Sequence, residues 1–486
     1  MRTMKFSISI FALSLITLAV FTTAFPTLAV DVTYDGYFRT RGNYFYDLAL
    51  NRDQSPATRA YTDMRFRLNP SFIITDKFRV KTSLNFMDGI LGDNPFRSSS
   101  YNNPAASYDR TIDPSQTETK IGRPISDLST STYGGVYAPD GLIQSTALTP
   151  IRLRRAWAEF DLPYGTLKVG RMPFDLGMGI YATAGDGVDQ EVGTTRDRIV
   201  FDTAFGPYYL RPGIGWLVEG ALDQSADDFI EYFFQFGRKT DIQNISFYLG
   251  YNNQSNYRPD ATVTTAIDPL VNRGTHYWSF DFYAQNQFEH VNLQTEVALF
   301  SGRVVGFDTL AINAAARADW NVKPLTLLTE VGFSSGTDAG DSANGDLKTV
   351  PFNRDYNVSL ILFEEAIPGG KNTKNAAGAA DTTPTAPHSG AISNALYARL
   401  RLGYDVSSFF QPAINILVPY AAKEPAGGSS KFYGIEYDLI TDWPNSHYLT
   451  ANLSFGHFIP GEFYDNFSSG KSHSALLIRG GVTAKF

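Results

Sequence analysis

Apolar and polar residues alternate along most of the chain, and helical periodicity is nearly absent. In YARLRLGY (397–404), Tyr397, Arg399 and Arg401 fall on one face of a strand, and the leucines fall on the other. Stretches such as SNALYARLRLGYD and SHYLTANLSFGHF also exceed the roughly 9 to 11 residues that a tilted strand needs to cross a bilayer. The pattern therefore predicts long amphipathic strands.

Two kinds of connection separate these strands. Short polar turns, such as PYGT (163–166) and DVSS (405–408), alternate with longer segments, such as residues 89–150 and 336–392. Short turns on one side and long loops on the other are typical of a transmembrane β-barrel of the outer-membrane type. We therefore predict an all-β fold, a single closed antiparallel transmembrane β-barrel with short periplasmic turns and long extracellular loops.

Strand number follows from the parity of the connections. The candidate strands are residues 33–48, 61–74, 77–88, 150–162, 165–174, 197–206, 212–223, 228–238, 242–252, 275–286, 289–303, 309–320, 325–335, 354–364, 393–405, 408–419, 430–441, 446–458 and 474–486. A single-chain bacterial barrel has an even number of strands. The neighbouring turns place both ends of 354–364 outside the cell, so this segment cannot span. We predict eighteen wall strands and a loop over 336–392 whose apolar piece folds over or into the pore.

The two ends of the chain carry export and assembly features. Arg2 and Lys5 precede an apolar stretch, and cleavage near Ala29 would give a signal peptide over 1–29 and a barrel over 30–486. An anchoring helix is the alternative interpretation, but the apolar run is short for one. The final strand is amphipathic and ends at Phe486, which resembles the signal that the barrel-assembly machinery recognises. We expect a protein of the Gram-negative outer membrane, in contact with its lipid and lipopolysaccharide.

Composition removes several classes of function. The net charge of −8 over 486 residues argues against a nucleic-acid partner, since such proteins are usually basic. Cysteine is absent, which excludes disulfides, thiolate metal sites and thiol catalysis. None of the six histidines lies in a G-x-S-x-G or similar setting, so we expect no enzyme and no cofactor.

Charged residues alternate in phase with the other polar positions, so a barrel in lipid would turn them inward. The predicted basic wall of the pore comprises Arg39, Arg41, Arg65, Arg67, Arg155, Arg399 and Arg401, and a further member, Arg171, rests on the motif resemblance given below. The predicted acidic wall comprises Glu231, Asp281, Glu296, Glu330, Glu436 and Asp438. Such walls either keep the pore wet and balance each other, or select among solutes by their field; a plugged, non-conducting barrel is the third interpretation. We expect a passive, partly gated channel for small hydrophilic solutes, anionic or sugar-like.

Three stretches resemble the alginate-export and porin-like outer-membrane barrels. They are RLRRAWAEFDLPYGTLKVGRMPFDLGMGI (152–180), GDGVDQEVGTTRDRIVFDT (185–203) and YGIEYDLITDWPNSHYLTANLSFGHFIPG (433–461). The resemblance implies the eighteen-stranded barrel and an arginine-rich lumen for a polyanionic polysaccharide. By that resemblance the candidate constriction residues are Arg65, Arg67, Arg155, Arg171, Arg399 and Arg401. The many acids of this lumen depart from the family pattern and argue against a polyuronate.

Two other hypotheses remain open at this point. Asp186, Asp189 and Glu191 cluster in a glycine-rich loop, and calcium is a weak candidate ligand for them because their spacing does not match a twelve-residue calcium loop. Alternatively, the long loops 89–150 and 336–392 would bind a ligand or partner, which makes the barrel a surface receptor or adhesin.

Overall fold

The computed structural model describes residues 30–48, 50, 58–90, 151–218, 228–254, 274–304, 307–338, 341, 345–365, 367, 391–424, 430–444, 448–465 and 472–486. The predicted signal peptide and most of the loop 89–150 lie outside the described residues. Within the described part of the chain, no helix is long and apolar enough to cross a membrane.

Long strands dominate the described residues. The first thirteen are β1 (Asp31–Tyr46), β2 (Thr58–Thr75), β3 (Phe78–Ile90), β4 (Ile151–Leu162), β5 (Gly165–Pro173), β6 (Thr195–Phe205), β7 (Tyr208–Val218), β8 (Phe229–Lys239), β9 (Gln243–Gln254), β10 (Thr275–Gln287), β11 (Val291–Val304), β12 (Phe307–Val322) and β13 (Leu325–Ser334). The remaining elements are β14 (Asp346–Leu347), β15 (Ala395–Tyr404), β16 (Gln411–Ala421), β17 (Gly434–Pro444), β18 (Leu449–Pro460), the short helix α1 (Glu462–Asp465) and β19 (Ala475–Lys485).

The sheet closes on itself. The first strand β1 pairs antiparallel with both β2 and β19, and Gly36 and Phe486 exchange two backbone hydrogen bonds of 3.1 Å. On the opposite side, β13 pairs directly with β15. The two-residue strand β14 pairs with β12 and is not one of the wall strands. In the described residues the wall therefore has eighteen strands, which confirms the predicted number, and 354–364 is not one of them.

Buried and exposed side chains alternate along the wall strands, as the sequence predicted. On β15, Leu400 and Leu402 are 43% and 47% exposed, whereas Tyr397, on the other face of the same strand, is 2% exposed. The exposed apolar side chains form the surface that meets lipid, as in outer-membrane barrels. The leucines of β15 therefore face the membrane, and its arginines face the interior. This closed barrel lies in the outer membrane.

Two connections from the extracellular side fold into the barrel. Inner loop 1 (residues 174–194) joins β5 to β6, and inner loop 2 (residues 348–365) belongs to the connection between β14 and β15. Inner loop 1 packs Phe174 and Tyr181 into a buried cluster with side chains of the wall. Inner loop 2 packs Ile361 into a second buried cluster with other side chains of the wall. The upper part of the interior is thus a packed core, and its contacts determine what space remains.

Candidate functional site

The first predicted arginines bind inner loop 1. Arg39, Arg41 and Arg65 surround the carboxylate of Glu191, with guanidinium nitrogens 3.1, 2.6 and 2.6 Å from its oxygens. Next to them, Arg67 donates a 2.7 Å hydrogen bond to the carbonyl oxygen of Gly185. All four arginines are buried. Because arginine offers a planar fork of donors, the group holds the loop by several charge-assisted hydrogen bonds.

A bulge adds an arginine that strict alternation does not predict. The register between β3 and β4 shifts between Ser83 and Leu84, so Arg154 and Arg155 both turn inward. Arg155 donates a 2.6 Å hydrogen bond to Asp186 of inner loop 1. The Nη1 atom of Arg154 has no hydrogen-bond partner and lies 3.9 Å from the carboxylate of Asp186. Sequence analysis missed Arg154 because a bulge breaks the period of two.

Glu231, a member of the predicted acidic wall, is enclosed by two arginines that sequence analysis also missed. Arg196 and Arg198 of β6 each place a guanidinium nitrogen 2.6 Å from its carboxylate. The hydroxyl of Tyr248 also donates to Glu231. The carboxylate is 0% exposed and both arginines are buried, so this group is a dry structural ion pair. Arg196 and Arg198 share the inward parity of β6, which was the available signal.

Glu296 of the predicted acidic wall binds backbone N–H groups of inner loop 1. The carboxylate accepts hydrogen bonds from Gly179 at 2.9 Å and Tyr181 at 3.1 Å, and another from Met178. Gly177 and Gly179 have positive φ, at 50° and 95°, which lets consecutive N–H groups converge on one anion. Glu296 therefore anchors a loop and does not face open water.

Glu436 binds inner loop 2 in the same way. Its carboxylate accepts hydrogen bonds from the backbone N–H groups of Leu360, Ile361 and Leu362, at 2.9, 2.7 and 2.6 Å. Asp438, two residues along β17, accepts a 2.8 Å hydrogen bond from the side-chain amide of Asn415. Both acids are fully buried. Each inner loop thus docks on one glutamate of the wall.

The inner loops also bind each other. Asp355 of inner loop 2 accepts hydrogen bonds from Glu191 at 2.8 Å, Val192 at 3.0 Å and Gly193 at 2.5 Å, all from backbone N–H groups of inner loop 1. Inner loop 2 further contributes Glu364, and burial raises the pKa of this carboxyl to about 8. The two loops therefore form one connected body that contains a group titrating near neutral pH.

A further predicted acid, Glu330, lies at the centre of a third group. It accepts hydrogen bonds from the hydroxyls of Tyr397 at 2.6 Å and Tyr356 at 2.9 Å, and it lies 3.3 Å from Nη1 of Arg399. Arg399 also donates a 2.8 Å hydrogen bond to Asn415. One of the two arginines with which the sequence analysis began is therefore held by a carboxylate.

Arg401 differs from Arg399. It faces the interior and is half-buried, and in the described residues it forms no hydrogen bond and no ion pair. It belongs to the lower lumen, which we define as the inward charged side chains beside the periplasmic turns: Arg79, Lys81, Asp161, Lys168, Asp202, Arg211, Arg317, Asp319, Arg401 and Asp442. The upper lumen is the interior above them, filled by the two inner loops.

The prediction that Arg171 belongs to the basic wall of the pore is wrong. Its side chain is 46% exposed and forms a 2.7 Å ion pair with Asp197 on the neighbouring strand. On β5 the inward positions are occupied by Lys168 and Gly170, so Arg171 shares the outer face with Val169. It lies on the outside of the barrel and not in its lumen.

The three carboxylates that were considered as calcium ligands form ion pairs with arginines. Asp186 binds Arg155, Asp189 lies 3.7 Å from Arg41, and Glu191 is surrounded by three arginines. These ion pairs compete with a metal ion for the same carboxylates, and calcium binding in this loop stays an untested prediction. The receptor hypothesis depends on residues 89–150 and the tip of 336–392, which lie outside the described residues.

A closed barrel with an apolar outer face and a charged interior, narrowed by inward loops, defines the class of outer-membrane channels. Within that class, the model of the alginate export family matches residues 144–477, which is more than half of the sequence. The chain therefore belongs to the alginate export family, as its sequence motifs indicated.

Some solved structures are similar to the chain at low sequence identity. The chain is similar to OccK11 (OpdR) of Pseudomonas aeruginosa, with 10% identity, a TM-score of 0.49, and coverage of 94% of this chain and 96% of that chain. It is also similar to OccAB4 of Acinetobacter baumannii, with 11% identity, a TM-score of 0.49, and coverage of 93% and 98%. A search of curated proteins finds no match.

Proposed function

We propose that this outer-membrane channel passes small hydrophilic solutes by passive diffusion, without a catalytic step, and prefers anionic saccharides that carry carboxylates. The guanidinium of Arg401 in the lower lumen, which forms no hydrogen bond and no ion pair with the described residues, is the observation that carries this proposal. Arginine binds carboxylates through two parallel hydrogen bonds. The family name, alginate export, describes a polymer of such sugars and supports the same class of solute.

Four of the acids that argued against an anionic solute are engaged elsewhere. Glu231 is paired with two arginines, Glu296 and Glu436 bind backbone N–H groups, and Glu330 binds two tyrosines and Arg399. In contrast, Nη2 of Arg67 and Nη1 of Arg154 have no partner. Both carboxylate oxygens of Asp281 and Oδ1 of Asp438 also lack partners, so among the described upper-lumen residues unused hydrogen-bonding groups occur on both charge types, and the preference for an anion rests on Arg401.

Reversal potentials across planar bilayers test this proposal. We expect the wild type to prefer anions, Arg401→Ala to lose part of that preference, and Arg171→Ala to keep it, because Arg171 lies on the outer face. A cation preference in the wild type, or equal effects of the two variants, would contradict the role of Arg401. Absence of any conductance, with residues 336–392 deleted as well as intact, would reject the channel itself.

Assembly follows the same expectation as in other barrels of this kind. The strand β19 closes the wall against β1, and the ring of Phe486, the residue that follows this strand, has its centroid 5.8 Å from that of Phe66. We propose that this amphipathic strand is the segment that the barrel-assembly machinery binds. Replacement of Phe486 by aspartate would then reduce the amount of folded protein in the outer membrane.

A further inference from the structure

Two carboxylates on neighbouring strands are buried against each other without a basic partner. Asp281 of β10 and Glu296 of β11 are 1% and 0% exposed, and they are diagonal neighbours on paired strands, because Asp281 lies opposite Ala298 and Glu296 lies two residues before Ala298. Among the described residues, neither forms an ion pair with a lysine, arginine or histidine. Two ionised carboxylates in a dry interior repel strongly, so the pair must either share a proton or bind a cation that the side chains do not supply.

An asparagine borders the same space. Ala298 of β11 lies opposite Asp281 on one side and opposite Asn313 of β12 on the other. All three side chains point inward, and Ala298 contributes only a methyl group between Asp281 and Asn313. Glu296 lies on the same inward face of β11, two residues from Ala298.

The polar side-chain atoms of Asn313 and Asp281 lack hydrogen-bond partners. Asn313 is 0% exposed, and neither its amide oxygen nor its amide nitrogen has a hydrogen-bond partner. Both carboxylate oxygens of Asp281 are also without one. A proton shared between Asp281 and Glu296 would satisfy one oxygen of Asp281 and would leave Asn313 unsatisfied. Buried polar groups are almost always satisfied, which indicates a missing ligand.

We propose that Asp281, Glu296 and Asn313 bind a divalent cation, with calcium preferred. The donors are all oxygens, which suits a hard cation, and two carboxylates balance the charge of one divalent ion. Calcium accepts six to eight ligands in flexible geometry, whereas magnesium demands a regular octahedron that side chains fixed on three strands would meet less readily. Water completes the coordination shell.

The site joins inner loop 1 to the wall. Glu296 is also the acceptor for Met178 and Gly179 through Oε2 and for Tyr181 through Oε1. Because a carboxylate oxygen has two lone pairs, Oε1 can bind a cation in addition to the N–H group of Tyr181. A bound ion fixes the carboxylate on which the loop docks, so calcium stabilises the closed upper lumen. In the described residues no three His, Cys, Asp or Glu side chains gather at a metal-binding distance, and this site instead combines two carboxylates with a carboxamide.

The second carboxylate pair is a matched control. Glu436 and Asp438 are equally buried, and Glu436 also binds three backbone N–H groups. Here, however, the neighbouring Asn415 is fully engaged: its amide nitrogen donates to Asp438 and to Val358, and its oxygen accepts from Arg399. No free amide oxygen remains, so this pair is not expected to bind calcium.

Calorimetric titration of calcium into the full-length barrel, refolded in detergent free of lipopolysaccharide and stripped with a chelator, tests the site. We expect binding by the wild type, at least roughly tenfold weaker binding by Asp281→Asn and Asn313→Leu, and unchanged binding by Asp438→Asn. Absence of wild-type binding, or equal losses in Asp281→Asn and Asp438→Asn, would overturn the proposal.

A second measurement on the wild type does not depend on how the variants fold. Terbium is a luminescent substitute for calcium, and Tyr248 lies directly opposite Asp281 on β9, where its ring is placed to sensitise the emission. We expect tyrosine-sensitised terbium emission that calcium displaces at lower concentration than magnesium does. Absence of this emission would overturn the site, and equal displacement by both ions would overturn the preference for calcium.

Discussion

The upper and lower lumen contain the same kinds of charged residues in different surroundings. In the upper lumen, the side chains of Arg196, Arg198 and Glu231 are 3%, 4% and 0% exposed. In the lower lumen, the side chains of Arg79 and Arg211 are 33% and 40% exposed, although both also form ion pairs. The difference arises from the inner loops, which cover the upper charges and leave the lower ones in water.

This difference changes what each charge does. A buried ion pair holds its partners in place, because removing one leaves the other charged and dry. A charge in a wet pore costs little and remains available to a passing solute. The upper lumen therefore fixes the inner loops and sets the width of the pore, and the lower lumen contacts the solute.

The largest expected effect is on stability in the upper lumen. Glu231→Gln leaves Arg196 and Arg198 buried with no counter-charge, and we expect a loss of about 3–5 kcal/mol in the free energy of unfolding. The lower-lumen control Asp319→Asn breaks the half-exposed pair with Arg317 and should cost about 0–1 kcal/mol. Urea unfolding in detergent micelles measures both, and equal losses would contradict the contrast.

A second effect concerns the docking of inner loop 1. Glu191→Gln removes the negative charge shared by Arg39, Arg41 and Arg65, so the loop should detach more often. We expect faster amide hydrogen exchange and faster proteolysis within residues 174–194. Asp202→Asn, which affects Lys168 and Arg211 in the lower lumen, should leave both rates unchanged. The same rates in Glu191→Gln and the wild type would show that the arginines do not hold the loop.

A third effect is a dependence on pH. In docked inner loop 2, Glu364 keeps its proton up to about pH 8, because burial raises its pKa from the ordinary 4.5. An undocked Glu364 loses that proton near its ordinary value, so docking is strongest below about pH 4.5 and weakens as pH rises to about 8. The charged groups that face Glu364 are Arg479, Glu365, Asp355 and Glu191.

The expected signature is a conductance that increases between pH 5 and pH 8 (about the range over which the pKa of Glu364 differs between the docked and free loop). The uncharged variant Glu364→Gln should flatten this increase while keeping inner loop 2 docked. Single-channel recording over the pH range checks the effect, and an unaltered pH profile in Glu364→Gln would remove Glu364 as its cause.

The smallest expected effect on stability accompanies the change in selectivity. Arg401→Ala removes a half-buried group that has no partner in the described residues, so we expect unfolding free energy to change by about 0.5 kcal/mol or less. A larger loss would mean that Arg401 is a structural residue of the wall and not a contact for solutes.

The wall of the barrel was predictable because its physics is local. Alternation with a period of two fixed the inward face of β15, and parity excluded 354–364 from the wall. The assignment of Arg171 failed because it followed a family resemblance, although Val169 on the same face indicated the outside. The inward turn of Arg154 depended on a bulge, which leaves no clear mark in the sequence.

The interior was not predictable, because its contacts join residues far apart in sequence. Glu191 meets Arg41 across 150 positions, and Glu436 meets Ile361 across 75. Nothing in the alternation indicates that a loop returns into the barrel, or that a wall glutamate binds backbone N–H groups. The acidic wall therefore appeared to face solutes, whereas Glu296 and Glu436 hold the inner loops.

The central claim is that wall carboxylates and arginines keep the inner loops docked and thereby narrow the pore. Single-channel conductance of the Glu191→Gln, Glu436→Gln double variant tests it most directly, since this variant weakens the docking of both loops at once. The account predicts a larger conductance than that of the wild type, with the anion preference retained through Arg401. An unchanged conductance in a correctly folded double variant would contradict it.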